Sequence, residues 1–261
     1  MKNPMGNAKM TQDEQPAAIL HNPSAQGNVL LVCEHASNRF PSAFGDLGLD
    51  AEAKQSHAAW DPGALAVAKH MSEVLDAKLV ASTVSRLVYD CNRPPEAAGA
   101  MPAKSEKFII PGNADLTDEA KKQRVDQVYR PFLSLLYGTI TDAVNEPVLA
   151  TIHSFTPVYN DQPRAVEIGI LHDSDTRLAD AMLALAPQFT GLNVQRNDPY
   201  GPEDGVTHTL KLHGLENGLM NVMIEVRNDL IATPEDQKNI AEMLADLISA
   251  ALEKLENEVE K

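Results

Sequence analysis

Along the chain, short apolar runs end abruptly in polar, chemically capable residues. In NVLLVCEHASNRFP (residues 28–41) an apolar run bounded by Gly27 gives way to Glu34, His35, Ser37, Asn38 and Arg39. This reads as a buried strand that delivers a histidine to its C-terminal edge, where open α/β sheets hold their ligands. PVLATIHSF places His153 just past a second apolar run, and LMNVMIEVRND places Glu225 and Arg227 at the end of a third. As parallel neighbours, these three strands would bring two imidazoles and a carboxylate to one crevice.

Helical patterns alternate with the strands. In HAAWDPGALAVAKHMSEVLDA, Asp61 is placed to cap a helix with Pro62 at its first position. A strand follows at KLVASTV, and SRLVYDCNRPP reads as another whose apolar part ends at Asp90, Asn92 and Arg93. Residues 94–116 contain Pro94, Pro95, Gly99, Pro102, Pro111 and Gly112, the composition and length of a lid or binding loop. Thr117 opens a helix expected from Asp118 to about Val144, bent at Pro131. Strands at 147–152 and AVEIGIL come next, then a helix capped by Ser174 and ending at Pro187. The loop NDPYGPEDGVTH, a short helical piece, the strand ending at Glu225, and a last helix opened by Thr233 and Pro234 complete the order. This alternation predicts an α/β fold with a single domain: a mostly parallel twisted sheet with helices on both faces.

Composition narrows the picture. With 261 residues and 43% hydrophobic content the chain can bury a full core. A net charge of -15 argues against nucleic acid and anionic membrane surfaces as partners. No run has transmembrane length, and Ala17 to Leu20 is too short for a signal peptide. Residues 1–20 read as a flexible N-terminal tail, mobile to about residue 15, ahead of one domain over 21–261. Two cysteines, Cys33 and Cys91, form no disulfide framework, which points to the cytoplasm. The oligomeric state is left open.

Histidine and carboxylate side chains at strand ends suit one catalytic zinc ion, which takes three protein ligands and keeps a fourth position open. His35 and His153 are the ligand candidates, with Asp61 the first choice for the third and Asn38 the second. Glu225 is placed to move a proton between attacking water and leaving amine, unless it pairs structurally with Arg227. Asn92 beside Arg93 offers a two-pronged grip on a carboxylate. Arg86, Arg164, Tyr200 and His208 lie on loops or strand ends that reach the same crevice.

In this order and spacing, CEHASNRFP, HAAWDPGA, SRLVYDCNRPP, TIHSFTP, NDPYGPEDGVTHT and MIEVRNDL resemble the N-formylglutamate amidohydrolase family over roughly residues 25–250. The resemblance implies a zinc-dependent hydrolase with a phosphorylase/hydrolase-like fold, distantly similar to zinc carboxypeptidases and aspartoacylase. It implies that His35 and His153 are metal ligands, that Glu225 is the general acid/base, and that Asn92 with Arg93 hold a substrate carboxylate. The expected substrate is a small acidic amide, an N-acyl amino acid such as N-formylglutamate, with Arg164 steadying the oxyanion. One departure stands out: those distant relatives take a second ligand from a Glu three residues after the first His, and here that position is Asn38. A carboxypeptidase-like or peptidoglycan-fragment amidase is the alternative enzyme; a metal-free carboxylate-binding protein is the alternative outside enzymes.

Overall fold

A computed structural model describes residues 15–259. Seven strands share one sheet: β1 (Ala18–His21), β2 (Val29–Cys33), β3 (Lys78–Ser82), β4 (Val148–Phe155), β5 (Ile168–Leu171), β6 (Val194–Arg196) and β7 (Asn221–Arg227). Their spatial order is β1-β3-β2-β4-β7-β5-β6. The central strands β3, β2, β4 and β7 are parallel, as is β6 to β5, whereas β1 and β5 run antiparallel to their neighbours β3 and β7. Every residue of β2 and β4 is buried, because a strand covered on both faces has no wet side. One apolar core packs α2 (Ala64–Val74), α5 (Arg177–Phe189) and α6 (Pro234–Val259) against one face. The second core joins the opposite face to α4 (Arg130–Thr141) and to apolar residues of the 84–110 segment. The mostly parallel α/β domain expected from the pattern is the one observed. Among the described residues no helix is long and apolar enough to cross a membrane.

Several boundaries differ from the sequence expectation, each for a local reason. Within the stretch 1–20 expected as a tail, Ala18–Leu20 are instead part of a strand, since Ala18–His21 pair with Leu79–Ser82 and cover the open edge of β3. Residues 1–14 lie outside the described residues. Residues 85–93 form turns and not a strand: Ser85 donates to the Ala59 carbonyl and accepts from the Leu87 amide, and Asp90 accepts from the Asn92 amide. Such local bonds displace a strand ladder.

Asp61 does not cap α2, which starts at Ala64 after left-handed Gly63 (φ 83°). A Cβ on Gly63 would stand 2.7 Å from the Ile231 side chain, so this turn needs glycine. Thr117 does cap α3 (Asp118–Arg124), but a π turn at Val125–Tyr129 separates α3 from α4. The wider turn accommodates Pro131, whose ring and missing N–H cannot continue a regular helix. Helix α5 begins at Arg177 and not at Ser174, and it carries Pro187 in its last turn. Thr233 opens α6 as expected, accepting from the Asp236 amide at 3.2 Å.

A second π turn, Leu210–Gly214, buries His213 with its Nδ1 unpartnered. Burial, reinforced by His208, pushes the His213 pKa down to about 4. The unfolded chain takes up a proton near the ordinary value of 6.5, which the folded protein refuses until about 4. Stability is therefore full above pH 6.5 and lost as pH falls toward 4, by about 3 kcal/mol in total. Urea unfolding of His213→Leu between pH 7 and 4 should show that much less acid destabilisation than the parent; parallel pH profiles would disprove the assignment.

Candidate active site

The carboxyl ends of β2, β4 and β7 face a cavity of about 500 Å³ whose lining includes His35, Asp61, Arg86, His153, Arg164 and Glu225. His35 follows β2, Asp61 precedes α2, and His153 lies within β4, which runs three residues further than the apolar run suggested. Asp61 Oδ2 is 3.2 Å from His35 Nδ1 and 2.9 Å from His153 Nδ1, and the two Nδ1 atoms are 3.2 Å apart. Asp61 is anchored from several sides. Its backbone amide donates to the His35 carbonyl, the Ser154 amide donates to Oδ2, and Arg86 reaches Oδ1 at 3.4 Å. Arg86 also bonds Asp90 at 2.9 Å, and Asp90 in turn stands 2.7 Å from His35 Nε2.

Burial would raise the Asp61 carboxyl, but His35 and His153 hold it well below the usual carboxylate range. Burial and Arg86 would lower His35, yet Asp90 and Asp61 raise it. For His153, burial is likewise overcome by Glu34 and Asp61. Asn38, the second choice for a ligand, turns away: its amide donates to the Lys54 carbonyl at 3.0 Å and to Gln55 at 3.3 Å. The last turn of α1 (Ala51–Gln55) leaves carbonyls in need of donors, and Asn38 supplies one.

Glu225 is paired directly with His153 in the β4–β7 ladder, which puts both side chains on one face. Its carboxyl is buried, with Oε2 lacking a hydrogen-bond partner. Burial, with Asp61 adding to it, outweighs the nearby imidazoles and pushes the pKa up to about 7. Arg227 is held by Asp229 at 2.8 Å and Glu167 at 3.3 Å, so it is not the partner of Glu225.

The remaining candidates separate. Asn92 is in the cavity lining but buried, its amide donating to the Val206 carbonyl at 2.5 Å and accepting from the Thr209 amide at 3.0 Å; it ties down the 206–209 loop. Arg93 lines the cavity, with one nitrogen on the Asp204 carbonyl at 2.7 Å. Arg164 donates to Tyr200 Oη at 3.0 Å and lies over the rings of Tyr159 (4.6 Å) and Tyr200 (4.9 Å). Neither Arg93 nor Arg164 has a carboxylate partner among the described residues. His208 is not in the cavity lining; its Nε2 meets Tyr129 Oη at 2.8 Å.

Sequence reasoning missed His57, Ser105 and Tyr159 in the lining, and Glu34 and Asp90 behind the imidazoles. The i, i+4 spacing of Arg86 and Asp90 was a usable signal for the last. Two hairpins, Lys104–Ser105 with Phe108–Ile109 and Val158–Tyr159 with Gln162–Pro163, flank the cavity. Glu106, between the strands of the first, contacts His57 Nε2 at 3.1 Å and accepts from the Asn160 amide of the second at 3.3 Å.

A model of the N-formylglutamate amidohydrolase family matches residues 27–232. The chain belongs to that family. Membership makes it a hydrolase of amide bonds. The crystal structure of a gene product of Agrobacterium tumefaciens superposes on this amidohydrolase with a TM-score of 0.92 at 56% identity, covering 94% of this chain and 98% of that one. An N-formylglutamate amidohydrolase from Ralstonia eutropha is 18% identical, covers 93% of this chain and 98% of its own, and shares the fold with a TM-score of 0.58. No curated protein matches the chain.

In this amidohydrolase His35, Asp61 and His153 form a buried group able to hold a metal ion. The donor chemistry fits. His35 Nε2 is hydrogen-bonded to Asp90, and His153 Nε2 lies 3.1 Å from Glu34 without an aligned hydrogen bond; with the protons on these two nitrogens, both Nδ1 lone pairs would face Asp61 and each other, the donor set of a shared cation. Donors bound at about 2.0–2.1 Å in a tetrahedral zinc site lie roughly 3.3 Å apart. The observed 2.9–3.2 Å is close to that.

Proposed function

We propose that this amidohydrolase is zinc-dependent and cleaves the amide bond of an N-acyl amino acid such as N-formylglutamate. The observation that carries the reading is the triangle of His35 Nδ1, Asp61 Oδ2 and His153 Nδ1, with a largely desolvated Glu225 as the ladder neighbour of His153. A zinc ion held by those three atoms supplies the Lewis acidity that polarises an acyl carbonyl and makes water nucleophilic near neutral pH. Glu225 takes a proton from the attacking water and returns it to the leaving nitrogen; a carboxyl near pKa 7 can do both. Arg86, bound to Asp61 and Asp90, is the guanidinium adjoining the donor triangle and faces the developing oxyanion. That role was expected of Arg164. Arg164, set among Tyr159 and Tyr200, and Arg93 instead offer uncompensated positive charge to the substrate's carboxylates. Buried, unpaired Cys33 and Cys91 fit a cytoplasmic protein.

A panel of N-acyl amino acids and matched carboxylate-free amides tests the substrate class. Arg93→Lys should lower kcat/KM for the N-acyl amino acid by about 10- to 100-fold, because an ammonium cannot reproduce the guanidinium fork. The carboxylate-free amide should change little. Equal losses on both would mean that Arg93 serves only the Asp204 loop.

A further inference from the structure

The reaction described above makes no use of Glu34, although its position is costly. Leu30 and Val32 share its face of the chain and belong to the apolar core. Glu34 follows them at 1% exposure, and neither carboxylate oxygen has an aligned hydrogen bond. A leucine there would relieve a buried carboxylate of poor hydrogen bonding. What the carboxylate does have is His153: Glu34 Oε2 stands 3.1 Å from His153 Nε2.

A neutral imidazole carries one N–H, on either nitrogen. His153 presents Nδ1 to Asp61 and to His35, so its lone pair is available there only in the tautomer with the proton on Nε2. A carboxylate beside Nε2 favours that tautomer and turns the ring edge toward the donor triangle. Asp90 stands in the same relation to His35, at 2.7 Å, but is itself held by Arg86 and the Asn92 amide. Among the described residues no guanidinium pairs with Glu34, which lies beside His153 and the Thr209 hydroxyl. We propose that Glu34 is a positioning residue whose carboxylate fixes the tautomer and orientation of His153 as a metal ligand. This rests on the metal reading above.

The test compares the parent, Glu34→Gln and Glu34→Leu. Zinc affinity is measured by chelator competition, and the ring nitrogens of 15N-labelled histidine are followed by NMR. Spectra are taken with zinc and, at alkaline pH, without metal. The parent should bind one zinc per chain. Glu34→Leu should weaken zinc binding about 10- to 100-fold, the usual cost of losing such a supporting carboxylate. Glu34→Gln keeps an acceptor oxygen and the side-chain shape, so it should recover part of that loss and retain the Nε2–H signature of His153. The Leu variant should show the other tautomer or a mixture. Zinc affinity and ring signals in both variants within about twofold of the parent and unshifted would overturn the proposal. Should Glu34→Leu fail to fold, the Gln variant decides alone: Gln binding zinc as tightly as the parent would leave the carboxylate without this role. A parent that binds no zinc would sink the metal reading, and the metal-free ring spectra would still judge Glu34.

Discussion

Asp61→Asn should leave a folded protein with zinc affinity reduced by more than ~100-fold and activity reduced in proportion. The substitution changes almost no volume but removes the only anionic atom of the donor triangle, and zinc prefers a carboxylate oxygen to a neutral amide. Asparagine also introduces an NH₂ that can donate to either Nδ1, occupying a lone pair that a metal requires. Asn38→Ala is the matched control: that side chain binds the end of α1, so its loss should leave zinc content unchanged. Elemental analysis and turnover on the same preparations give the answer. Full zinc in Asp61→Asn, with a melting temperature only a few degrees lower, would reduce Asp61 to an anchor for Arg86 and Ser154.

Glu225→Gln should lose about 100- to 10,000-fold in kcat, the range of a general acid/base contribution, while keeping its zinc. Glutamine matches the carboxyl in shape but cannot shuttle a proton. Because Glu225 is not a member of the donor triangle and its Oε2 has no partner to lose, neither the metal site nor the fold should suffer. Removing a buried acid from a desolvated position should, if anything, raise the melting temperature slightly. A variant with near-parental turnover would show that the proton travels by another route.

The legible parts of the site were those carried on strand ends. His35, His153 and Glu225 stood out because each broke an apolar run, and a parallel sheet then leaves little choice about where such residues meet. Asp61 was ambiguous, since aspartate before proline is also a helix start; Gly63 and its contact with Ile231 decided the matter, and no periodicity reports that. Asn92 and Arg93 looked alike as polar neighbours, and both reach the cavity lining, yet the chain turns between Ser85 and Arg93, so Asn92 is buried with its amide bound to the 206–209 loop while Arg93 is bound only to the Asp204 carbonyl. The apolar residues 87–89 suggested a strand because burial leaves the same trace in a tightly packed turn. Tyr159 and Ser105 sit on two-residue strands, too short to leave a pattern.

The pairing of Glu225 with His153 also determines what kinds of length change the chain can survive. Side chains alternate across a strand, so inserting or deleting one residue between Val148 and Ile152, or between Asn221 and Ile224, would exchange the two faces. His153 or Glu225 would then be driven toward the apolar core that holds Ile152 and Ile224, and an isoleucine would enter the cavity. A point substitution in these strands changes one contact, whereas a single-residue indel misplaces an entire face. Insertions should be accommodated better in the hairpin turns around residues 106–107 and 160–161, where extra residues would alter the rim of the cavity without shifting its floor.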